Sequence, residues 1–427
     1  MSVRLQRTIK GLGRSVACVS AVVAMAVIPA TAGAEPPPPD VPFSITSFTT
    51  SVTDADGNEL SQAGAHPTKA NAKFTLSEYY DVEQGRLFPI EEMKSVITDL
   101  PPGFVGNPTS VPKCPLALLP TNIGLPPKCP AESAVGTITI VGGIFMDRAA
   151  VYNLVPERGY PAEFGFSILG FTYYLYPELR SDGDYGLRIV VDGAPYNQHR
   201  SVDMTFCGNG AENVGELWAP AWECKAFDPS APQFLTNPAS ECTNVAPVTK
   251  LAIDSWTNPG KWKYAEFASP LITGCDTLTF EPSVDIAPTT PVPDAPTGLN
   301  VDMTFPQEDN AHGQAPPALK KAVVTLPEGM TINPAGAGGL EACTDGELLL
   351  KSKDPMTCPE SSKVGTVTAT SPLLDEPVKG GVYIRSQNSM DPESGEMFRL
   401  ALVLQNKDRG IDIRLPGSIR ADARTGR

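Results

Sequence analysis

The chain reads as all-β: a tandem of antiparallel β-sandwich units of immunoglobulin-like build, with disulfide-pinned loops and an incomplete second unit. Three observations predict this. There are 37 Gly and 44 Pro among 427 residues, a density of breakers at which helices of ordinary length do not survive. Short apolar alternations rich in Thr, Val, Phe and Tyr recur between turn signals, as a half-buried pleated surface favours. One block of sequence also occurs twice. Leu100-Pro101-Pro102-Gly103, Asn107-Pro108, Cys114, Cys129-Pro130 and Val135-Gly136-Thr137 return as Leu326-Pro327-Glu328-Gly329, Asn333-Pro334, Cys343, Cys358-Pro359 and Val364-Gly365-Thr366. Upstream, Pro67-Thr68, Asn71 and Thr75 recur as Pro296-Thr297, Asn300 and Thr304. A duplication on this scale implies two structural units, each with its own core.

Residues 1–34 read as an export signal. Arg4, Arg7, Lys10 and Arg14 make a basic start, 16–28 is apolar, and Ala32-Gly33-Ala34 supplies the small residues a signal peptidase needs. The apolar run is short for a membrane span and no second one follows, so no transmembrane segment is expected in the mature chain. Removing these four cations takes the formal charge from −15 to −19. So acidic a chain repels phosphate backbones, which argues against a nucleic-acid partner. Residues 35–41, with four consecutive prolines, form an extended tether.

The first unit spans 42–274 and is large enough for two sandwiches divided near 192–201. Its strands are expected at 43–52, 72–76, 95–99, 136–141, 150–154, 163–169, 171–175 and 186–191. The second unit spans 275–427, with strands at 299–305, 322–326, 365–370, 381–384, 398–404 and 410–414. Laying Gly410 on Gly186 puts its end at the equivalent of the 192–201 division. It lacks a counterpart of 207–274, so a longer protein, or a half-unit acting as a cap, is expected.

The mature chain has eight cysteines, an even number in keeping with an oxidising compartment. Cys114 with Cys129 and Cys343 with Cys358 stand in equivalent places, fourteen residues between partners, and are expected to pair. Each would close a loop worth about 3 kcal/mol in the chain-entropy model. Cys207 with Cys224 and Cys242 with Cys275 are the simplest completion. No clustered Cys-x-x-Cys or Cys-x-x-His spacing calls for zinc, and no cofactor or metal is expected. Asp54-Ala55-Asp56-Gly57-Asn58-Glu59 imitates half a calcium loop but lacks the Gly and Glu that complete it, and reads as a hairpin turn.

On Leu100–Gly103 with Gly106-Asn107-Pro108, the Cys-Pro and Val-Gly-Thr strand, the segment 62–67 and the segment 294–299, the chain resembles a family of large exported repeat proteins of unknown function from high-GC bacteria. The resemblance implies a secreted or cell-surface location and further repeats, and carries over no catalytic residue.

His66, His199 and His312 lie in loops, and no Gly-x-Ser-x-Gly or His-Glu-x-x-His phrase is present. All four tryptophans, Trp218, Trp222, Trp256 and Trp262, fall between Cys207 and Cys275. Flat rings on a pinned surface suit stacking on sugars or apolar ligands, while filling a small loop-rich core is the plainer use. The expectation is a non-catalytic secreted or cell-surface protein with a structural or adhesive role. Its partners would be cell-envelope or extracellular polymers. The alternatives are a carbohydrate- or ligand-binding module built on region 207–275 and a polysaccharide-acting enzyme using paired carboxylates.

Overall fold

A computed structural model describes residues 40–123, 125–143, 145–216, 221–307, 312–326, 330, 340–389, 391 and 396–420. The expected export signal, most of the tether, Trp218 and the phrases at 327–329 and 333–334 lie outside the described residues.

Alternation of apolar and polar residues produces short strands throughout. In chain order they are β1 (Ile45–Thr53), β2 (Lys69–Leu76), β3 (Glu78–Asp81), β4 (Arg86–Pro89), β5 (Met93–Asp99), β6 (Val105–Gly106), β7 (Ala134–Val141), β8 (Met146–Asn153), β9 (Phe164–Ile168), β10 (Phe171–Leu179), β11 (Leu187–Val191) and β12 (Ser201–Cys207). There follow β13 (Ala211–Asn213), β14 (Trp222–Cys224), β15 (Leu235–Thr236), β16 (Val248–Ser255), β17 (Lys263–Ala268), β18 (Ser283–Pro288), β19 (Leu299–Thr304), β20 (Lys363–Ala369), β21 (Val378–Arg385), β22 (Glu396–Asn406) and β23 (Ile411–Arg420). The described helix, α1 (Asp345–Leu348), is one turn closed by a Thr344 and Glu347 capping box.

Eleven strands join antiparallel in the order β1-β2-β12-β7-β8-β9-β10-β11-β5-β16-β17, and the edge strands β1 and β17 lie against one another. The sheet is therefore nearly a barrel, not the pair of facing sheets that a sandwich requires. Both architectures bury one face of every strand, so alternation alone cannot separate them. The segment 192–200, expected to divide two sandwiches, is a loop at one end of this sheet, and β12, β16 and β17 return to the same ladder.

The inner face carries Phe74 and Leu76 of β2, Ile138 and Ile140 of β7, Phe164, Phe166 and Ile168 of β9, Leu175 of β10, Val202 of β12 and Leu251 and Ile253 of β16, all buried. Polar residues pair across the outer face: Asn71 donates to Asp203 at 2.7 Å and to Thr205 at 2.9 Å, and Lys73 lies 3.3 Å from Asp203. No described helix is long and apolar enough to cross a membrane.

The two ends are closed differently. At the end where β12 begins, which we call the histidine end, the β3–β4 hairpin and the 192–200 loop seal the interior with Phe88, Ile90, Ala194 and His199. At the opposite, cysteine end, three disulfides hold irregular chain: Cys114–Cys129, Cys207–Cys224 and Cys242–Cys275, with Cα separations of 5.3, 5.3 and 6.0 Å. Cys343–Cys358, at 5.0 Å, completes the expected set. Four disulfides mark an oxidising environment.

The two fourteen-residue cysteine segments share local geometry. Cys114 bridges to Leu154 and Cys343 to Arg385; Lys128 N–H donates to Leu118 O at 2.9 Å, and Thr357 N–H to Glu347 O at 2.9 Å. Ser133 and Ser362 each donate to the carbonyl of the preceding Cys-Pro proline at 2.6 Å.

In the second copy, β20–β23 form one four-stranded sheet and β18–β19 a separate hairpin. Gly410, at φ 63°, turns the chain into β23 from β22, as Gly170, at φ 82°, turns it into β10 from β9. Gly410 thus answers Gly170, not Gly186. Residues 322–326 form no strand: Val323 is 74 % exposed, and alternation cannot build a strand without a ladder partner. The four-stranded sheet packs on the cysteine end. Tyr185 Oη donates to Arg414 O at 2.8 Å, Gly159 N–H donates to Asp408 O at 2.8 Å, and Lys353 pairs with Glu178.

Candidate ligand cavity

Eleven strands enclose more space than their inward side chains fill. Thr98, Ile189, Val191, Met204 and Phe206 point inward yet remain half-buried, because they face a void of about 170 Å³. Its wall is Phe, Ile, Leu, Val and Met, interrupted by a few Thr and Ser residues and Tyr173, and no charged residue is among its described lining. Water needs two to four polar partners to stay in a cavity, and apolar cavities of roughly 150 Å³ stay dry and accept small hydrocarbons. Ser51 and Ser269, beside the β1–β17 seam, mark where the void comes nearest the outside.

A second apolar cavity, of about 420 Å³, lies at the cysteine end between the barrel and the second copy's sheet. Barrel residues Leu179, Leu187 and Phe234 face Leu374, Leu404 and Ile413 across it, again with no charged residue in the described lining.

The inner wall at the histidine end carries a polar cluster that sequence reading missed, because its members come from separate elements, 26 to 106 residues between bonded partners. Tyr173 Oη and His199 Nε2 are 2.8 Å apart, with the rings edge to face. Glu92 Oε2 accepts from Gln198 N–H at 2.8 Å. Gln198 has φ 54°, a left-handed conformation that turns the chain around the carboxyl group. His199 is fully buried, and its Nδ1 has no partner among the described residues. Burial drives its pKa down to about 4. Burial also pushes Glu92 up to about 7, against the lowering effect of backbone N–H donors from 197–199. Tyr173 is pushed up to about 12 for the same reason.

These shifts have opposite consequences for stability. Folded Glu92 keeps a proton that the unfolded chain sheds near 4.5, so its contribution favours the fold at low pH and is lost as pH rises towards about 7. Unfolded His199 takes a proton near 6.5 that the folded chain refuses until about 4, so its contribution is lost as pH falls through that window. Between about 4.5 and 6.5 the two offset one another. Glu92→Gln should expose the histidine alone: relative to the parent, the variant should lose up to a few kcal/mol as pH falls from 6.5 to 4.5. Urea midpoints at several pH values measure this, and parallel profiles for parent and variant would refute it.

The tryptophans lie at both ends of the barrel. Trp222, on β14, packs edge-on against Tyr152 beneath the Cys207–Cys224 bridge at the cysteine end, with centroids 6.1 Å apart. Trp256 follows β16 at the histidine end, 43 % exposed, donating its indole N–H to Ala194 O at 3.0 Å with Lys94 over its ring. Trp262 precedes β17 at that same end and is half-buried. The described tryptophans therefore form no single platform.

A polar hollow near the cysteine end is lined by Asp54, Asp56, His66 and His312. Asp54 is occupied with its own turn, accepting from Asp56 N–H at 3.0 Å and Asn58 N–H at 2.8 Å, with Gly57 at φ 83°. Among the described residues no group of three or more His, Cys, Asp or Glu could hold a metal ion. Comparison with protein-family profiles, characterised proteins and solved structures returns no match to this chain.

Proposed function

We propose that this chain is an exported, non-catalytic binding protein that holds a small apolar molecule in the barrel. One observation carries the reading: a void inside the barrel, walled by apolar side chains and with no charged residue in its described lining. The ligand-binding alternative drawn from the sequence is kept, with its site moved from the tryptophan region to the lumen. Binding would be driven by removing apolar surface from water, at about 25 cal/mol per Å² before the losses of association are counted. The enzyme reading has less support: glycoside hydrolysis needs two facing carboxylates, neither apolar cavity has one in its described lining, and in the polar hollow that holds Asp54 and Asp56 the Asp54 carboxylate is bonded into its own turn.

The neutral fluorophore N-phenyl-1-naphthylamine tests this. Saturable one-to-one uptake is expected, abolished by Val191→Trp, which fills the lumen, and retained by Trp256→Ala. Absence of uptake by the folded parent would overturn the lumen reading. Uptake lost in the Trp222→Ala or Trp256→Ala variants instead would restore the tryptophan region as the site.

A structural or adhesive role is the second reading. It is favoured by the shared geometry of the two cysteine segments and by the docking of the second copy on the first. Retention by cell-envelope or extracellular polymers, with no fluorophore uptake, would favour it over the carrier.

A further inference from the structure

The lumen, the second cavity and a small notch on the surface share walls. Leu100, Phe104, Ile189 and Phe206 line both apolar cavities. Val52, Pro101, Phe104 and Ser269 line both the lumen and a notch of about 40 Å³ beside the β1–β17 seam. Phe104 alone is common to all three. It sits in the turn after β5, next to Gly103 at φ 81°, and is only half-buried despite its position at the junction. The notch differs in chemistry from the cavities behind it: Glu59, Ser61 and the buried Asn237 are in its lining.

Resting on the lumen reading, we propose that the ligand is a single-chain amphiphile with an uncharged polar head. Its head occupies the Glu59, Ser61 and Asn237 notch, and its hydrocarbon chain passes Phe104 to fill the lumen and then the second cavity. Three features select this class. A path with no charged residue in its described lining admits hydrocarbon and refuses an ionised group, whose burial without a partner is prohibitive. A narrow lumen leading past one aromatic ring to a larger void fits a flexible chain better than a rigid polycycle. The described lining of the notch has an acidic residue and no cation, so an anionic head finds no counter-charge there.

The second cavity takes part of its wall from the second copy, through Leu374, Leu404 and Ile413. Docking of the copies therefore sets the chain length accepted.

The test is competition of straight-chain 1-alkanols against N-phenyl-1-naphthylamine on the full chain, from hexanol to tetradecanol. Affinity should rise roughly tenfold for every two methylenes across the series. Leu374→Trp, which fills the second cavity, should leave hexanol unchanged and weaken tetradecanol by at least about tenfold. If affinity stops rising near hexanol, or if Leu374→Trp weakens all lengths equally, the two-cavity path is wrong while the lumen reading stands. If neither fluorophore nor any alkanol binds the folded parent, the lumen reading itself fails. Circular dichroism and thermal melting of the variant separate a filled cavity from a lost fold.

Discussion

Phe234→Ala should lower the unfolding free energy by about 3–5 kcal/mol, the range for deleting a buried phenyl ring from a packed site. Phe234 is 2 % exposed and lies in the long connection between β14 and β16. Its ring meets Phe164 edge to face at 5.8 Å and stacks on Phe206 at 6.0 Å. Its backbone is fixed on both sides: it donates to Gly208 O at 2.8 Å and accepts from Asn107 N–H at 2.7 Å. Gly106 lies so close to the ring that an added Cβ would come within 3.1 Å of it. Truncation therefore removes contacts from three strands at once and leaves a hole beside an existing cavity, where collapse is least able to relieve the loss. Urea denaturation measures the cost. A loss below about 1 kcal/mol would mean that the ring is not the plug of the cysteine end.

Removing the Cys207–Cys224 bridge by a double substitution to Ala should cost about 3 kcal/mol, within the usual 2–5 kcal/mol for a small loop in a native disulfide framework. Cys207 is fully buried as the last residue of β12, and Cys224 ends β14, so the bridge holds the β13–β14 hairpin over Ala134, Ala150 and Tyr152. Those three residues are apolar side chains on the outer face of the barrel and need a cover. Without the bridge, Trp222 should leave Tyr152, shifting its emission to the red, and proteolysis should begin within 208–233. Equal stability of parent and variant, with unchanged emission, would show that noncovalent packing alone holds the hairpin.

Two of the four cysteine pairs were legible because they recur in equivalent positions; the other two were only the simplest completion, and the structure decided them. Strands β7 to β11 were legible from alternation bounded by Gly and Pro. Strand β12 carries a clear signal too, with Val202, Met204 and Phe206 at every second position, and β16 has Leu251 and Ile253. Both were missed because their neighbourhood in Cys, Pro and Trp suggested irregular chain. The Glu92, Tyr173 and His199 cluster gave no local signal, since three loops and strands distant in sequence bring it together.

The sequence by itself determined that the chain is β-rich, that Cys114 pairs with Cys129 and Cys343 with Cys358, and that one block occurs twice. These are local properties, set by backbone breakers, two-residue periodicity and spacing. Only the tertiary structure decided that eleven strands curl into one near-barrel, that a void with no charged residue in its described lining remains inside it, and that the second copy supplies part of the wall of another. Closure depends on which edges meet after eleven strands have each added their twist, and no short window of sequence contains that sum.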